Sequence, residues 1–295
     1  MSTASPFNLS RFEPAAVYGA LVVTTLMIIG CSLDAVLLVT IVRSSKLRST
    51  SALLIAVQVG SEIALLPQAL FYFYNLGYRI FRPRSTCFWI YLTQQIAFHV
   101  ILGIFPSIGI DRLVCLKYPV WHKHNGKNWL YLSALIICPV FYGLVNTLVV
   151  WLNLNDDLML CNLLDIPRKF ARQFWTFSHI AVATISIIVY GMLWRLARSR
   201  VTRSVLLIFL TYILGEALPI AIRSFAYFVH NENLYKILRL LNLIPRAANM
   251  SACTIILYSC SRLYRQEIRR TFCRRSREPE TLDQPCLANT SFLDA

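Results

Sequence analysis

Seven long apolar stretches decide what this chain can fold into: about Ala16–Val42, Ser51–Gly77, Cys87–Arg112, Trp129–Leu152, Phe174–Leu196, Val201–Val229 and Leu234–Tyr258. Each reaches the ~20 residues that a helix needs to cross the hydrocarbon core of a bilayer. Only 15% of the 295 residues are charged, where a soluble domain carries about a quarter. Mean hydropathy is +0.56. Too little charge remains to coat a water-facing surface, which argues against a soluble enzyme or a nucleic-acid-binding protein. No internal repeat or second domain is visible. The expected fold is an all-α membrane protein, a seven-transmembrane helix bundle over residues 1–272, with a short cytoplasmic tail at 273–295.

The third and seventh spans carry polar residues inside their apolar runs, among them Thr93, Gln94, Gln95 and His99, then Asn242, Arg246 and Asn249. Such groups are costly against lipid and belong on a bundle interior or a water-filled cavity. Pro67, Pro106, Pro139, Pro219 and Pro245 fall within spans and read as kinks rather than ends, because neighbouring helices satisfy the freed carbonyls. Eighteen of the 29 Lys and Arg fall on one set of connections (after spans one, three, five and seven), nine on the other set, and Arg223 and Arg246 within spans. This asymmetry places the N-terminus outside and the C-terminus in the cytoplasm, although Arg79, Arg82 and Arg84 run against it. Residues 1–15 lack the basic and apolar regions of a cleavable signal, so the first helix is expected to act as its own anchor. Asn8-Leu9-Ser10 is a glycosylation sequon on the outer side. The nine cysteines form no CxxC pair, and neither a metal nor a cofactor is expected.

The third span ends PSIGIDRLVCLKYP. Asp111 followed by Arg112 at the cytoplasmic end resembles the Asp-Arg-Tyr signature of rhodopsin-like G-protein-coupled receptors, with Leu113 in place of the aromatic. Taken alone the dipeptide reads as a surface ion pair at a helix end, and only its context points elsewhere. Asp34 stands where those receptors have their helix-one asparagine, and Glu62 at the spacing of their span-two acid. Two carboxyls within a bilayer demand a partner, a proton or a cation; one of them being a protonated packing residue is the plainer reading. In GEALP, Pro219 matches the kink proline of span six, while Ala217 replaces its aromatic toggle. Tyr258 matches the tyrosine of Asn-Pro-x-x-Tyr, with Thr254 and Ile255 for the Asn-Pro. KLRSTSALLIAVQVGSEIALLPQ, followed by SIGIDRLVCLKYP, is similar to the nematode serpentine chemoreceptors of the class sx group.

This resemblance implies a chemosensory receptor at the plasma membrane that couples a small extracellular ligand, odorant or peptide, to a heterotrimeric G protein. It implies a disulfide between Cys87 and Cys161, two unpaired thiols being the alternative. It implies that Asp111 holds Arg112 at rest, with Tyr190 or Tyr258 assisting, since the start of span six offers Arg198, Ser199 and Arg200 and no acid. Ligand-pocket candidates are Gln94, Gln95, Phe98 and His99 on span three, His179 on span five and Arg223 on span six. Against these stand core packing for Phe98, a hydrogen-bonded interior for His99 and snorkelling for Arg223. Glu216 and Arg246 are positioned to pair between spans six and seven. Residues 259–272 place Leu263, Ile268 and Phe272 among arginines, an amphipathic eighth helix lying on the membrane, with Cys273 after it open to palmitoylation or a plain thiol. Two rivals remain: a ligand-gated seven-helix channel of the insect odorant-receptor kind, with its N-terminus inside, and a non-signalling serpentine partner of another receptor. No protease, metallohydrolase or phosphate-loop signature points to an enzyme.

Overall fold

The computed structural model describes residues 14–126, 128–196, 207, 210–211, 215, 218–219, 221–222, 245, 247–249 and 252–272. Asn8, Glu216, Arg223, Arg246, Cys273, most of the sixth span and the tail lie outside the described residues. Among the described residues five helical segments are long and apolar enough to cross a membrane: Val17–Arg43, Thr50–Tyr78, Leu92–Lys117, Trp129–Leu152 and Phe170–Leu196. They correspond to the first five expected spans.

Helix α1 is Pro14–Arg43, opening on a proline whose missing N–H is harmless at a helix start. The second span is two helices, α2 (Thr50–Ile63) and α3 (Leu66–Tyr78). The cause is Pro67, which cannot donate to the Ile63 carbonyl, so the chain tightens there with Leu65 N–H donating to the Glu62 carbonyl at 3.1 Å. This proline therefore ends a helix where a kink was expected. The short α4 (Arg84–Ile90) precedes α5 (Leu92–Lys117), which runs through Pro106 without a break. Helix α6 (Pro119–Asn125) follows, then α7 (Trp129–Leu152) and α8 (Lys169–Leu196). Residues 252–260 form α9, the end of the seventh span, and Arg262–Phe272 form α10.

More of α5 lies inside the bundle than of any other described span, and it packs against α2, α7 and α8. Side chains such as Ile137, Phe141 and Phe177 stand exposed on α7 and α8; in a bilayer they meet lipid. The α5–α7 contact is close because two glycines sit in it. A Cβ on Gly143 would meet the Ile96 carbonyl oxygen at 3.1 Å, and one on Gly103 would meet Pro139 Cα at 3.0 Å. Gly143→Val is expected to destabilise the bundle by about 1–3 kcal/mol through overpacking, read as a lowered Tm of the purified protein.

The connections at the α3–α4 end carry structure that apolar periodicity does not show. Strand β1 (Phe81–Pro83) pairs antiparallel with β2 (Leu158–Leu160), Arg82 opposite Met159. Just beyond this ladder Cys87 and Cys161 form a disulfide. The loop then dives inward through a 3-10 turn at Leu163–Asp165, with Leu163 and Ile166 fully buried. Buried Arg84 fixes it, donating from Nη1 to the carbonyls of Asp165 and Ile166, both at 2.8 Å. Burial lowers the pKa of this guanidinium, and the charges of Arg168 and Arg172 nearby act in the same direction.

Candidate functional site

Toward the C-terminal end of α5, the Asp111 carboxylate is fully buried and is held from three other helices. Ser51 Oγ of α2 donates to Oδ2. Tyr131 OH of α7 donates to Oδ1 at 3.1 Å, and His122 Nε2 of α6 lies 3.0 Å from the same oxygen. Helix α6 is placed by Pro119 at its start and by Thr50 Oγ1, which donates to the Gly126 carbonyl at its end. Hydrogen bonds to a charged acceptor contribute about 1.5–3 kcal/mol each, so this node binds four helices together. Arg112 beside it is partly buried, and its positive charge lies near Tyr264 of α10. Burial pushes the Tyr264 phenol up to about 12, the Arg112 charge opposing.

Ser51, His122 and Tyr131 were not among the residues the sequence singled out at this end, and all three hydrogen-bond to the Asp111 carboxylate. Tyr190 is buried against α5, its hydroxyl donating to the Phe105 carbonyl at 3.4 Å, and Tyr258 is 37% exposed. Ser51, His122 and Tyr131 escaped notice because each is an ordinary residue in its own stretch. Only the packing of four helices makes them converge.

Midway along the bundle the carboxyls of Asp34 on α1 and Glu62 on α2 are both buried, and α1 packs against α2. Thr254 Oγ1 of α9 donates to Asp34 Oδ1 at 2.8 Å, and Gln58 Nε2 to Glu62 Oε1 at 3.0 Å. Asp34→Asn keeps an oxygen that accepts from Thr254 and is expected to leave Tm within a degree or two. Asp34→Leu strands the partners of the carboxyl and should cost about 1–3 kcal/mol, a difference that thermal unfolding of the two variants reads directly.

In the N-terminal halves of α5 and α8, His99 and His179 lie buried in a cluster with Phe98, Tyr142 and Trp175. Trp175 Nε1 donates to His99 Nδ1 at 3.1 Å, and His179 Nε2 lies 3.2 Å from the same nitrogen. Gln95 is 1% exposed, with neither amide atom hydrogen-bonded, and the buried Oε1 of Gln94 is likewise without a donor. A mostly apolar cavity lies between α1, the α2–α3 break, α5 and the second outer loop. Thr24, Glu62, Gln68, Tyr72, Phe98 and Asn162 are among its lining residues. It runs from the loop behind the disulfide to the carboxyl pair. Of the six pocket candidates Phe98 lines it, whereas Gln94, Gln95, His99 and His179 lie off it and Arg223 is outside the described residues. Among the described residues no three His, Cys, Asp or Glu side chains gather as a metal site.

A family model described as serpentine type 7TM GPCR chemoreceptor Srsx matches residues 27–272. No curated protein matches the chain.

Proposed function

The chain belongs to the Srsx family of serpentine seven-transmembrane chemoreceptors, and from that premise we propose that it converts binding of a small ligand outside the cell into activation of a heterotrimeric G protein. The N-terminus is extracellular and the C-terminus cytoplasmic. The observation that carries this reading is the buried Asp111 node, which fastens α2, α6 and α7 to α5 beside Arg112. A G protein engaging Arg112 acts on an end of the bundle held by a few polar contacts, and polar contacts of that kind switch between two arrangements. A ligand at the opposite end shifts that equilibrium only by binding one arrangement better than the other. The cavity beneath the second outer loop supports a small and largely apolar ligand. The polar side chains of Thr24, Gln68, Tyr72 and Asn162 in its lining support a ligand that also bears a hydrogen-bonding group.

The test is expression in intact cells with an epitope at Met1 and another after Ala295, alongside G-protein activation sensors. The N-terminal epitope should be reached without permeabilisation, and Arg112→Ala should abolish activation while leaving surface expression in place. Exposure of the C-terminal epitope instead would turn Asp111 and Arg112 away from any G protein and favour a ligand-gated channel.

A further inference from the structure

The junction of the first inner loop with α10 carries more charge than membrane topology requires, and it is rigid. Arg43 ends α1, Lys46 lies in the 3-10 turn Ser45–Leu47, and Arg48 follows; all three are exposed. Helix α10 adds Arg262, Arg265, Arg269 and Arg270, of which Arg262, Arg269 and Arg270 are exposed. The sole acid in the two segments is Glu267, and it is already engaged. Its Oε2 accepts from Ser44 Oγ at 2.9 Å and its Oε1 from Arg270 Nη1 at 3.1 Å. Ser44 and Glu267 are both buried, and beneath them Leu47 and Tyr264 share one apolar core with α1 and α2. The loop and the helix are thus one body, with basic side chains on both halves and their one carboxylate turned inward.

We propose that this junction binds the headgroup of an anionic phospholipid bearing several phosphates, a polyphosphorylated inositol lipid of the inner leaflet. That this face is the inner one rests on the receptor reading above. Clusters of four to eight Lys or Arg next to a membrane helix or along an amphipathic one attract anionic lipid, and here seven are gathered. The Ser44–Glu267 bond adds what a sequence cluster lacks, a fixed spacing between two basic groups. A headgroup with several phosphates bridges both groups at once, whereas lipids with one charge each gain nothing from the spacing. The source is a lipid rather than a free phosphate because Phe272 stands exposed on the same helix, where an acyl region would cover it.

The experiment uses the full chain in nanodiscs of phosphatidylcholine containing a few per cent of fluorescent phosphatidylinositol 4,5-bisphosphate, with charge-matched phosphatidylserine as comparison. Selective binding of the inositol lipid is expected. It should weaken by about fivefold for each basic side chain removed, or about a hundredfold for Arg43, Lys46 and Arg48 together changed to Gln. Changing Arg262 and Arg269 to Gln should weaken it by about 25-fold. Ser44→Ala should weaken it without removing any charge, provided that Tm shows the variant folded; should that variant unfold, the two Gln series decide the matter alone. Equal binding of charge-matched phosphatidylserine, or insensitivity to either Gln series, would overturn the site. Equal affinity for soluble inositol trisphosphate would overturn its assignment to lipid. Loss of selectivity with normal G-protein activation removes this site alone, while reversed topology with selectivity intact removes the receptor reading alone.

Discussion

Changing either Cys87 or Cys161 to serine is expected to destabilise the receptor by about 2–5 kcal/mol, enough to empty the cell surface of it. The disulfide closes 74 residues of sequence separation, and cross-linking so long a segment removes much freedom from the unfolded chain. It also seats the loop that follows. Directly after Cys161 come Leu163 and Ile166, which fill the outer core, and the Tyr91 hydroxyl donates to the Cys161 carbonyl at 3.2 Å. Without the bridge, this loop is left to non-covalent contacts such as the β1–β2 ladder, the Arg84 clamp and the Tyr91–Cys161 bond. The check is surface flow cytometry together with Tm of detergent-purified protein. Both single variants and the double variant should fall by the same amount, because either substitution removes the whole interaction. A double variant that loses the sum of the two single losses would mean that each cysteine acts through its own packing and that the bridge contributes little.

The spans were legible because a bilayer leaves a crude signature. Runs of apolar residues about 20 long are rare for any other reason, and among the described residues five reappear as helices long enough to cross. Proline was harder to interpret. Pro106 and Pro139 sit inside unbroken helices while Pro67 ends one, and only the neighbours of each proline decide whether the freed carbonyl is satisfied in place. The disulfide came from family resemblance, and the structure forms it. The β1–β2 ladder left no signal at all. Phe81-Arg82-Pro83 and Leu158-Met159-Leu160 are too short for an alternating pattern, and one contains proline. At the inner end the sequence pointed to Asp111 and missed its partners, since hydrogen-bonding residues 11, 20 and 60 positions away share no local pattern with it. The acidic pair was found as two residues needing company. The partners that the structure gives them, Thr254 for Asp34 and Gln58 for Glu62, are ordinary polar residues in their own stretches.

Asp111→Ala should raise basal G-protein activation about tenfold or more and lower Tm by several degrees. The substitution takes the acceptor from Ser51, His122 and Tyr131 at once, and stripped polar groups at a buried site cost about 1–3 kcal/mol each. If these contacts favour the resting arrangement by even ~1.4 kcal/mol, losing them multiplies the active fraction about tenfold. Asp111→Asn separates charge from geometry. Its carbonyl oxygen still accepts from Tyr131 and His122, and its amide donates to the Ser51 hydroxyl, which is able to accept. A small change in Tm and basal activity is therefore expected from it. Tyr131→Phe and His122→Phe each remove one contact while the carboxylate keeps two others, so each should give a fraction of the alanine effect. The measurement is nucleotide exchange by a purified G protein with receptor in nanodiscs, at matched receptor density and without ligand. Basal exchange that stays at the wild-type level in Asp111→Ala, alongside a lowered Tm, would show that the node holds the fold together in both arrangements and does not choose between them. The trigger would then lie with Arg112 and Tyr264 on its other side.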